Sequence, residues 1–256
     1  ATASSADTDY HGVTGSPISV NNIDNDTPGI TVSTATLQTT EGASNTFSIS
    51  LSSQPVKDVT INVSSSDLTE GTLSVSSVKF TPTDWAAKTV TVNGVVDDVD
   101  DGNQTYTVVL ANSISDDPNY TNIDVADVSV TNIDINTAGI DVSAISGNTG
   151  ENLTAATFTV KLKSKPVANV VITSTSKDAT EGSVTSNATI TIAPADWNTP
   201  VTVTVTGAND FVADGDVEYA IGLAVSSADL KYDDFTLADV AVTNTDNDAV
   251  GVTIDV

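Results

Sequence analysis

The sequence contains no cysteine, no methionine and no arginine, and it has a single histidine, His11. Without cysteine, no disulfide can stabilise the fold, and thiol chemistry is excluded. A catalytic or zinc-binding role for His11 is disfavoured because this residue stands alone in the N-terminal stretch. No apolar run is long enough to span a bilayer, and no signal peptide is recognisable. The missing initiator methionine leads us to expect a processed or excised piece of a longer chain.

Basic residues are also scarce, with eight lysines against 34 acidic residues and a formal net charge of −26. This excess of negative charge disfavours nucleic acid and anionic membrane surfaces as partners, and it favours cation binding and solubility. Only 5% of the residues are aromatic. Val, Ile and Thr dominate instead, which is typical of β-strands. We expect no nucleic-acid partner and no membrane insertion of this segment.

An internal repeat organises the chain. Segments 17–30, 127–140 and 239–252 align, and other landmarks recur about 111 positions apart, such as Glu41 with Glu151. Two domains fit a length of 256 residues. We predict the C-terminal tail of a preceding repeat over 1–27, complete repeats over 28–137 and 138–249, and the first strand of a following repeat over 250–256. A longer tandem array explains the strands predicted at both ends.

Within each repeat, apolar residues alternate with polar ones in short runs that are separated by turn residues. Alternation with a period of two marks strands with one buried face, and seven such runs predict a sandwich of immunoglobulin type. The predicted fold class is therefore all-β, with tandem seven-stranded immunoglobulin-like antiparallel β-sandwiches. In repeat 1, strands A to G are centred on 30–32, 47–51, 59–63, 73–75, 90–92, 106–110 and 128–130.

A dense acidic run lies between the predicted strands E and F of repeat 1, and it returns in reduced form over 209–215. Like charges at this density repel one another, and a hard divalent cation with oxygen ligands removes that conflict. A solvated acidic turn is the alternative interpretation of one such run. The run in repeat 1 consists of Asp97, Asp98, Asp100 and Asp101, closed by Gly102.

Strand parity brings further acids to this run. If the strands run alternately up and down, the A–B, C–D and E–F loops and the end of strand G meet at one end of the sandwich. The converging acids in repeat 1 are Glu41, Asp67, Glu70, Asp97, Asp98, Asp100, Asp101 and Asp134. Those in repeat 2 are Glu151, Asp178, Glu181, Asp210, Asp214 and Asp246, with Asp248 just beyond. Oxygen ligands without histidine or cysteine favour calcium over zinc or magnesium. A metal-free acidic end is the alternative.

The position of this end has a structural consequence. Connections 133–139 and 245–251 lead from it directly into the next predicted sandwich. A cation there would tie the linker to the loops and stiffen the junction between neighbouring repeats. Phe211 and Ala213 replace two of the E–F acids in repeat 2. We therefore expect repeat 1 to hold more calcium than repeat 2.

These motifs resemble Calx-beta domains, the calcium-binding sandwiches of sodium–calcium exchangers, integrin β4 and large bacterial surface proteins. The resemblance covers both complete repeats and depends on the order and placement of short motifs: Glu41-Gly42, Asp67 to Gly71, the acidic E–F loop and the end of strand G. It implies that these loops hold a cluster of calcium ions in each repeat. The ligands implied in repeat 1 are Glu41, Asp67, Asp97, Asp98, Asp100, Asp101 and Asp134. The threonine-rich, lysine-poor tandem character most resembles the bacterial surface arrays.

The aromatic residues are predicted to pack. Trp85 and Trp197 are expected in the core or at its rim, with a carbohydrate platform as the alternative. Tyr106 and Tyr219 begin the alternation of strand F and are expected in the core. The tyrosines of the F–G loops, Tyr10, Tyr120 and Tyr232, are expected to pack locally.

We expect a structural function from this pattern. The segment would be a calcium-stiffened stalk, extender or filament component of a large extracellular surface protein, secreted and of bacterial type. An adhesive module that binds glycans or another cell surface is the alternative, and self-association into filaments stays open. An enzyme is not expected, because the sequence offers no nucleophile–base pair and its acids recur at repeat ends.

Overall fold

The computed structural model describes residues 1–252, which form two β-sandwiches in series and contain no helix. None of the described residues therefore belongs to a helix that could cross a membrane. Residues 1–29 precede the first sandwich and form no strand, although one bridge pairs Thr2 with Thr14. The strand predicted over 250–256 falls mostly outside the described residues, and 250–252 form no strand. The predicted all-β sandwich class is confirmed.

The strands of the first sandwich are β1 (Ile30–Val32), β2 (Thr36–Thr40), β3 (Ser44–Leu51), β4 (Val59–Ser65), β5 (Gly71–Leu73), β6 (Ser77–Phe80), β7 (Lys88–Gly94), β8 (Gln104–Leu110), β9 (Ile114–Ser115) and β10 (Val128–Ile133). They form two sheets, with orders β1-β3-β7-β5 and β2-β10-β8-β4-β6, and β9 lies beside β4 in the second sheet.

The second sandwich repeats this plan. Its strands are β11 (Ile140–Val142), β12 (Thr149–Gly150), β13 (Ala155–Leu162), β14 (Val170–Ser176), β15 (Gly182–Ser186), β16 (Thr189–Ile192), β17 (Val201–Gly207), β18 (Val217–Ser227) and β19 (Val240–Thr245). The two sheets have the orders β11-β13-β17-β15 and β12-β19-β18-β14-β16.

Seven strands per repeat was too low a prediction, since the structure has ten in the first sandwich and nine in the second. Predicted strand A coincides with β1, whereas β2, which lies in the other sheet, was not predicted. The chain turns between them at Thr34, whose Oγ1 donates to the Thr36 carbonyl (2.6 Å). Predicted strand D overlaps β5 only at Leu73; β6 was not predicted, and Val75 lies exposed between the two strands. The sandwich also departs from purely antiparallel pairing, because β2 pairs with β10 in parallel.

Each sandwich has its own hydrophobic core, built from the inward residues of both sheets. Phe47, Ile49 and Ile61 belong to the first core and are almost fully buried. Phe158 and Ile172 occupy the second. Burial of one such side chain contributes roughly 1.5–3 kcal/mol. Because the two buried clusters are separate, each sandwich is stabilised by a core of its own.

The tyrosines fasten the F–G loops to the sandwiches. Tyr120 donates its hydroxyl to the Ser53 carbonyl (2.6 Å), and Tyr232 donates to the Ser164 carbonyl (2.7 Å). Both rings are 1% exposed, as the sequence led us to expect, whereas Tyr10 is exposed. The remaining predicted core aromatics, Tyr106 and Tyr219, are buried; Trp197 packs against the second core and Trp85 is 37% exposed.

Candidate metal centre

Four segments of the first sandwich meet at the end from which the chain leaves for the second. Glu41, in the β2–β3 turn, donates its N–H to the last carbonyl of β10 (3.1 Å), and the first residue after β7 donates to the Glu70 carbonyl (3.0 Å). Gly102 N–H donates to Asp134 Oδ2 (2.7 Å). Gly42 and Gly102 have φ values of 72° and 77°, a conformation that glycine adopts without strain. The backbone thus joins all four acid-bearing segments.

Three carboxylates of this end form a close cluster. One oxygen each of Glu70, Asp97 and Asp101 lie within 4.8 Å of one another. Burial raises the pKa of Glu70, and the charge of Asp101 raises it further. Burial also raises the pKa of Asp101, and the negative charge of Asp97 raises it further. The cluster therefore opposes its own ionisation, and a bound cation would reverse that tendency.

Glu41 is buried behind this cluster, with 7% of its surface exposed. Its Oε2 has no hydrogen-bond partner among the described residues. Burial raises the pKa of Glu41, and the negative charges of Asp97 and Asp134 raise it further. A buried polar atom without a partner is costly. Because the charged groups around it are carboxylates, a cation shared with them would satisfy this oxygen and offset their repulsion.

Asp134 connects the end of β10 to the E–F loop. Its Oδ2 accepts from Gly102 N–H (2.7 Å), and its Oδ1 accepts from Asn136 N–H (2.6 Å). Asn136 in turn donates its Nδ2 to the Asp97 carbonyl (3.1 Å). The linker that leaves the first sandwich is therefore hydrogen-bonded to the same loop that carries the clustered aspartates.

Asp98 and Asp100 contact the second sandwich and do not join the close cluster. Asp100 accepts from Ala138 N–H through Oδ2 (2.7 Å) and from Lys231 Nζ through Oδ1 (2.7 Å). The Asp98 carbonyl accepts from Lys165 N–H (2.6 Å), and the Asp98 side chain is exposed. Hydrogen bonding to Lys231 lowers the pKa of Asp100. These two predicted ligands thus lie at the junction between the sandwiches.

The C–D loop aspartates serve their own turns. Asp67 Oδ1 accepts from the N–H (2.9 Å) and the hydroxyl (2.6 Å) of Thr69. Asp178 Oδ1 accepts from the same groups of Thr180. These hydrogen bonds lower the pKa values of both carboxyls, which are exposed. Neither aspartate belongs to a close carboxylate cluster in the described residues.

The second sandwich gathers a different trio at the corresponding end. Oxygens of Glu151, Asp246 and Asp248 lie within 4.8 Å of one another. Asn247 N–H donates to Glu151 Oε2 (3.0 Å), and Asp248 N–H donates to Asp246 Oδ1 (2.6 Å). Glu151 is 4% exposed, and Asp248 Oδ2 is buried without a hydrogen-bond partner among the described residues. Here the A–B turn and the end of β19 form the cluster.

The remaining predicted ligands of the second sandwich lie outside this trio. Asp210 Oδ1 accepts from Val212 N–H (2.7 Å), and Asp214 is exposed. Glu181 Oε2 lies 3.5 Å from Asn244 Nδ2. Phe211, which replaces an acid of the first E–F loop, is 92% exposed. The E–F loop thus contributes to the close cluster in the first sandwich and not in the second.

Sequence reasoning missed two buried asparagines beneath the acids, Asn132 and Asn244, which are each 2% exposed. A signal for them exists in the sequence. Both occupy the same position of the aligned segments, and Asn22 matches them in the N-terminal segment. This position continues the inward alternation of the last strand, where a polar residue is unusual and calls for a hydrogen-bonding role.

No protein-family model and no curated protein matches the sequence. Among solved structures, the chain is similar to the calcium binding domain CBD12 of CALX1.1, at 11% identity and a TM-score of 0.36, over 78% of this chain and 82% of that one. CBD12 from CALX1.2 matches at 12% identity and a TM-score of 0.36, over 79% and 84%. The E. coli chaperone DraB matches at 7% and 0.31, over 80% and 100%. Likenesses this low carry no argument about function.

Proposed function

We propose that the chain is a calcium-binding structural segment in which the ion holds neighbouring β-sandwiches in a fixed arrangement. The observation that carries this proposal is the buried Glu41 Oε2, which has no hydrogen-bond partner within residues 1–252 and lies among carboxylates. Asp248 Oδ2 in the second sandwich is likewise buried without a hydrogen-bond partner among the described residues. An isolated buried carboxylate is unfavourable, whereas a shared cation satisfies several such oxygens together.

The donor set favours calcium. All candidate ligands are oxygens, they come from separate loops, and no His or Cys lies among them. Calcium accepts six to eight oxygens in flexible geometry, whereas magnesium demands a tighter octahedron and zinc prefers nitrogen and sulfur. The first sandwich would bind through Glu41, Glu70, Asp97, Asp101 and Asp134. The second would bind through Glu151, Asp246 and Asp248.

A stiffening role follows from where these ligands lie. The linker between the sandwiches is hydrogen-bonded to the E–F loop through Asn136 and Ala138. An ion that fixes this loop would also fix the linker, and through it the second sandwich. We assign the chain to a stalk, extender or filament component of an extracellular surface protein, where calcium is plentiful, and not to an enzyme.

The adhesive alternative has weaker support. A glycan-binding platform needs exposed aromatic rings that lie together. The exposed aromatic rings of the described residues, Tyr10, Trp85 and Phe211, belong to the N-terminal stretch, the first sandwich and the second sandwich respectively. We therefore propose no partner other than calcium and the neighbouring sandwich.

Calorimetric titration of the whole chain with calcium tests the proposal. We expect binding by the wild-type chain, and loss of about tenfold in the affinity of one class of sites, about 1.4 kcal/mol, in Glu41→Gln. Glu218→Gln is the matched control, because Glu218 is exposed and lies outside both clusters. Absence of calcium binding by the wild-type chain at millimolar concentration would refute the proposal, as would equal affinities of the two variants.

A further inference from the structure

A buried amide lies beneath the acidic end of each sandwich. Asn132 in β10 and Asn244 in β19 are both 2% exposed. Each lies two residues after a buried valine, Val130 or Val242, on the inward face of its strand. A polar side chain at such a position must find its partners inside the protein.

Asn132 connects three segments of the first sandwich. Its Oδ1 accepts from Thr39 Oγ1 on β2 (3.1 Å). Its Nδ2 donates to the Val95 carbonyl after β7 (3.2 Å) and to Glu70 Oε2 in the C–D loop (3.3 Å). The amide therefore uses its acceptor and both of its donor directions, and one donor is directed at a carboxylate of the close cluster.

The second sandwich repeats this arrangement around Asn244. Asn244 Oδ1 accepts from Thr149 Oγ1 (3.3 Å). Its Nδ2 donates to the Ala208 carbonyl (3.0 Å) and lies 3.5 Å from Glu181 Oε2. Two independent sandwiches thus place an asparagine between a threonine of the A–B segment and a glutamate of the C–D loop.

A glycine makes room for each amide. A Cβ at Gly94 would lie 2.5 Å from Asn132 Oδ1, and a Cβ at Gly207 would lie 2.3 Å from Asn244 Oδ1. Contacts this short do not occur, so the backbone at the end of β7 and of β17 can approach the amide only as glycine. The approach also brings the neighbouring carbonyl, that of Val95 or Ala208, within reach of Nδ2.

We propose that Asn132 is a positioning residue that holds Glu70 for a bound cation. The inference rests on the proposed function, since the cation is the calcium ion assigned there. A neutral amide holds one glutamate oxygen and leaves the other free for the ion. An aspartate would add a charge to the cluster, and a leucine would leave the glutamate unheld. Outer-shell partners of this kind fix the orientation of metal ligands.

The hydrogen bond between Asn132 and Thr39 would extend the effect of the ion to the edge strand of the sheet. Thr39 belongs to β2, the outer strand beside β10. Ion binding that fixes Glu70 would also fix Asn132, and Asn132 holds Thr39. Calcium is therefore expected to slow amide hydrogen exchange in β2, and this slowing should depend on Asn132.

Calcium titrations followed by the amide NMR signals of Gly102 and Gly215, one reporter for each sandwich, test the proposal. We expect Asn132→Leu to lower affinity about tenfold at the Gly102 reporter and to leave the Gly215 reporter unchanged. Asn244→Leu is the matched control, because its carboxylate neighbour Glu181 lies outside the second close cluster, and it should leave the Gly102 reporter unchanged. Equal affinities of Asn132→Leu and the wild type at the Gly102 reporter would overturn the proposal.

A mutant cycle separates positioning from general support of the fold. If Asn132 acts through Glu70, Asn132→Leu should cost less than twofold in calcium affinity when Glu70→Gln is already present. A tenfold loss in both backgrounds would overturn the proposal.

Should Asn132→Leu fail to fold in chelator, Thr39→Val decides instead, with an expected loss of about threefold, smaller than that of a direct outer-shell partner. Unchanged affinity in Thr39→Val would then count against the proposal.

Titration of the wild-type chain distinguishes failure of the proposed calcium-binding function from failure of the positioning role. If the wild-type chain binds no calcium, the proposed function fails. If it binds calcium and Asn132→Leu binds equally well, only the positioning role fails.

Discussion

Lys231 of the second sandwich pairs with Asp100 of the first across a Nζ–Oδ1 distance of 2.7 Å. The Asp100 side chain is 16% exposed, and its other oxygen accepts from the linker at Ala138. One carboxylate therefore joins the E–F loop, the linker and the F–G loop of the next sandwich. Asn119 occupies the position of Lys231 in the first sandwich, so this pairing is particular to the junction.

Removal of Lys231 should loosen the junction without unfolding either sandwich. The Lys231 side chain is about half exposed. An ion pair that solvent screens in this way contributes about 0–1 kcal/mol, so Lys231→Met should change the unfolding free energy little. Small-angle scattering should show a broader range of inter-sandwich orientations. Lys79→Met is the control, because Lys79 pairs with Asp58 within the first sandwich (2.8 Å). Identical scattering from the two variants would contradict a role for Lys231 at the junction.

Calcium should stabilise the sandwiches. Extracellular modules bind calcium with dissociation constants of about 0.1–1 mM. At about 5 mM calcium, a site that exists only in the folded state would add about 1–2 kcal/mol, which corresponds to several degrees in Tm. Thermal melts in calcium and in chelator measure this difference. Coincident melts would show that the ion has no structural role.

Stability in chelator should fall as the pH rises above about 4.5. Burial raises the folded-state pKa of Glu41 and of Glu70 above their ordinary value of 4.5. Between the unfolded and folded pKa values, the folded state binds more protons, so the unfolding free energy decreases as pH rises. Once the pH exceeds the folded-state pKa values, this contribution to the unfolding free energy is lost completely. Calcium should remove this decrease because it stabilises the charged carboxylates.

Urea unfolding at several pH values measures this dependence in the presence and absence of calcium. Glu41→Gln should flatten the profile in chelator, since the uncharged amide does not titrate. A steep rise in stability between pH 5 and 7 in chelator would show that the cluster does not have the raised pKa values inferred from its burial.

Loss of a single tyrosine hydroxyl should destabilise the first sandwich. Tyr120→Phe leaves the Ser53 carbonyl without its buried donor, at a cost of about 1–3 kcal/mol. Tyr10→Phe, at an exposed position, should cost almost nothing. Chemical denaturation of both variants compares them directly. Equal stability of Tyr120→Phe and wild type would mean that the F–G loop is held by packing alone.

The sequence predicted the sandwich class and the meeting of the acid-bearing loops well, because strand alternation and parity are local patterns. It did not reveal which acids point into the cluster. Asp98 and Asp100 share the E–F loop with Asp97 and Asp101, yet they contact the second sandwich. Parity fixes the end at which a loop lies, whereas the direction of each side chain depends on turn geometry and on neighbouring chain segments.

β2 was also beyond local patterns. It is separated from β1 by three residues and lies in the opposite sheet, and both strands pack apolar residues against the first core. Asn132 was missed for a different reason. Its inward position was readable from the alternation, but its partners Thr39 and Glu70 are remote in sequence, and only the fold brings them together. The expectation that repeat 1 holds more calcium stays a prediction.

The parallel pairing of β2 with β10 determines how the first sandwich would respond to mechanical force. These neighbouring strands come from near the N-terminal and the C-terminal end of the segment that forms the first sandwich, and five residue pairs from Ser129–Thr36 to Ile133–Thr40 join them. Tension applied along the array would pull the strands in opposite directions and load all five pairs in shear at once. The equivalent strands of the second sandwich share only the pairs Thr149–Asn244 and Gly150–Thr245. Under stretching, the second sandwich should therefore yield first and the first should bear the load longer.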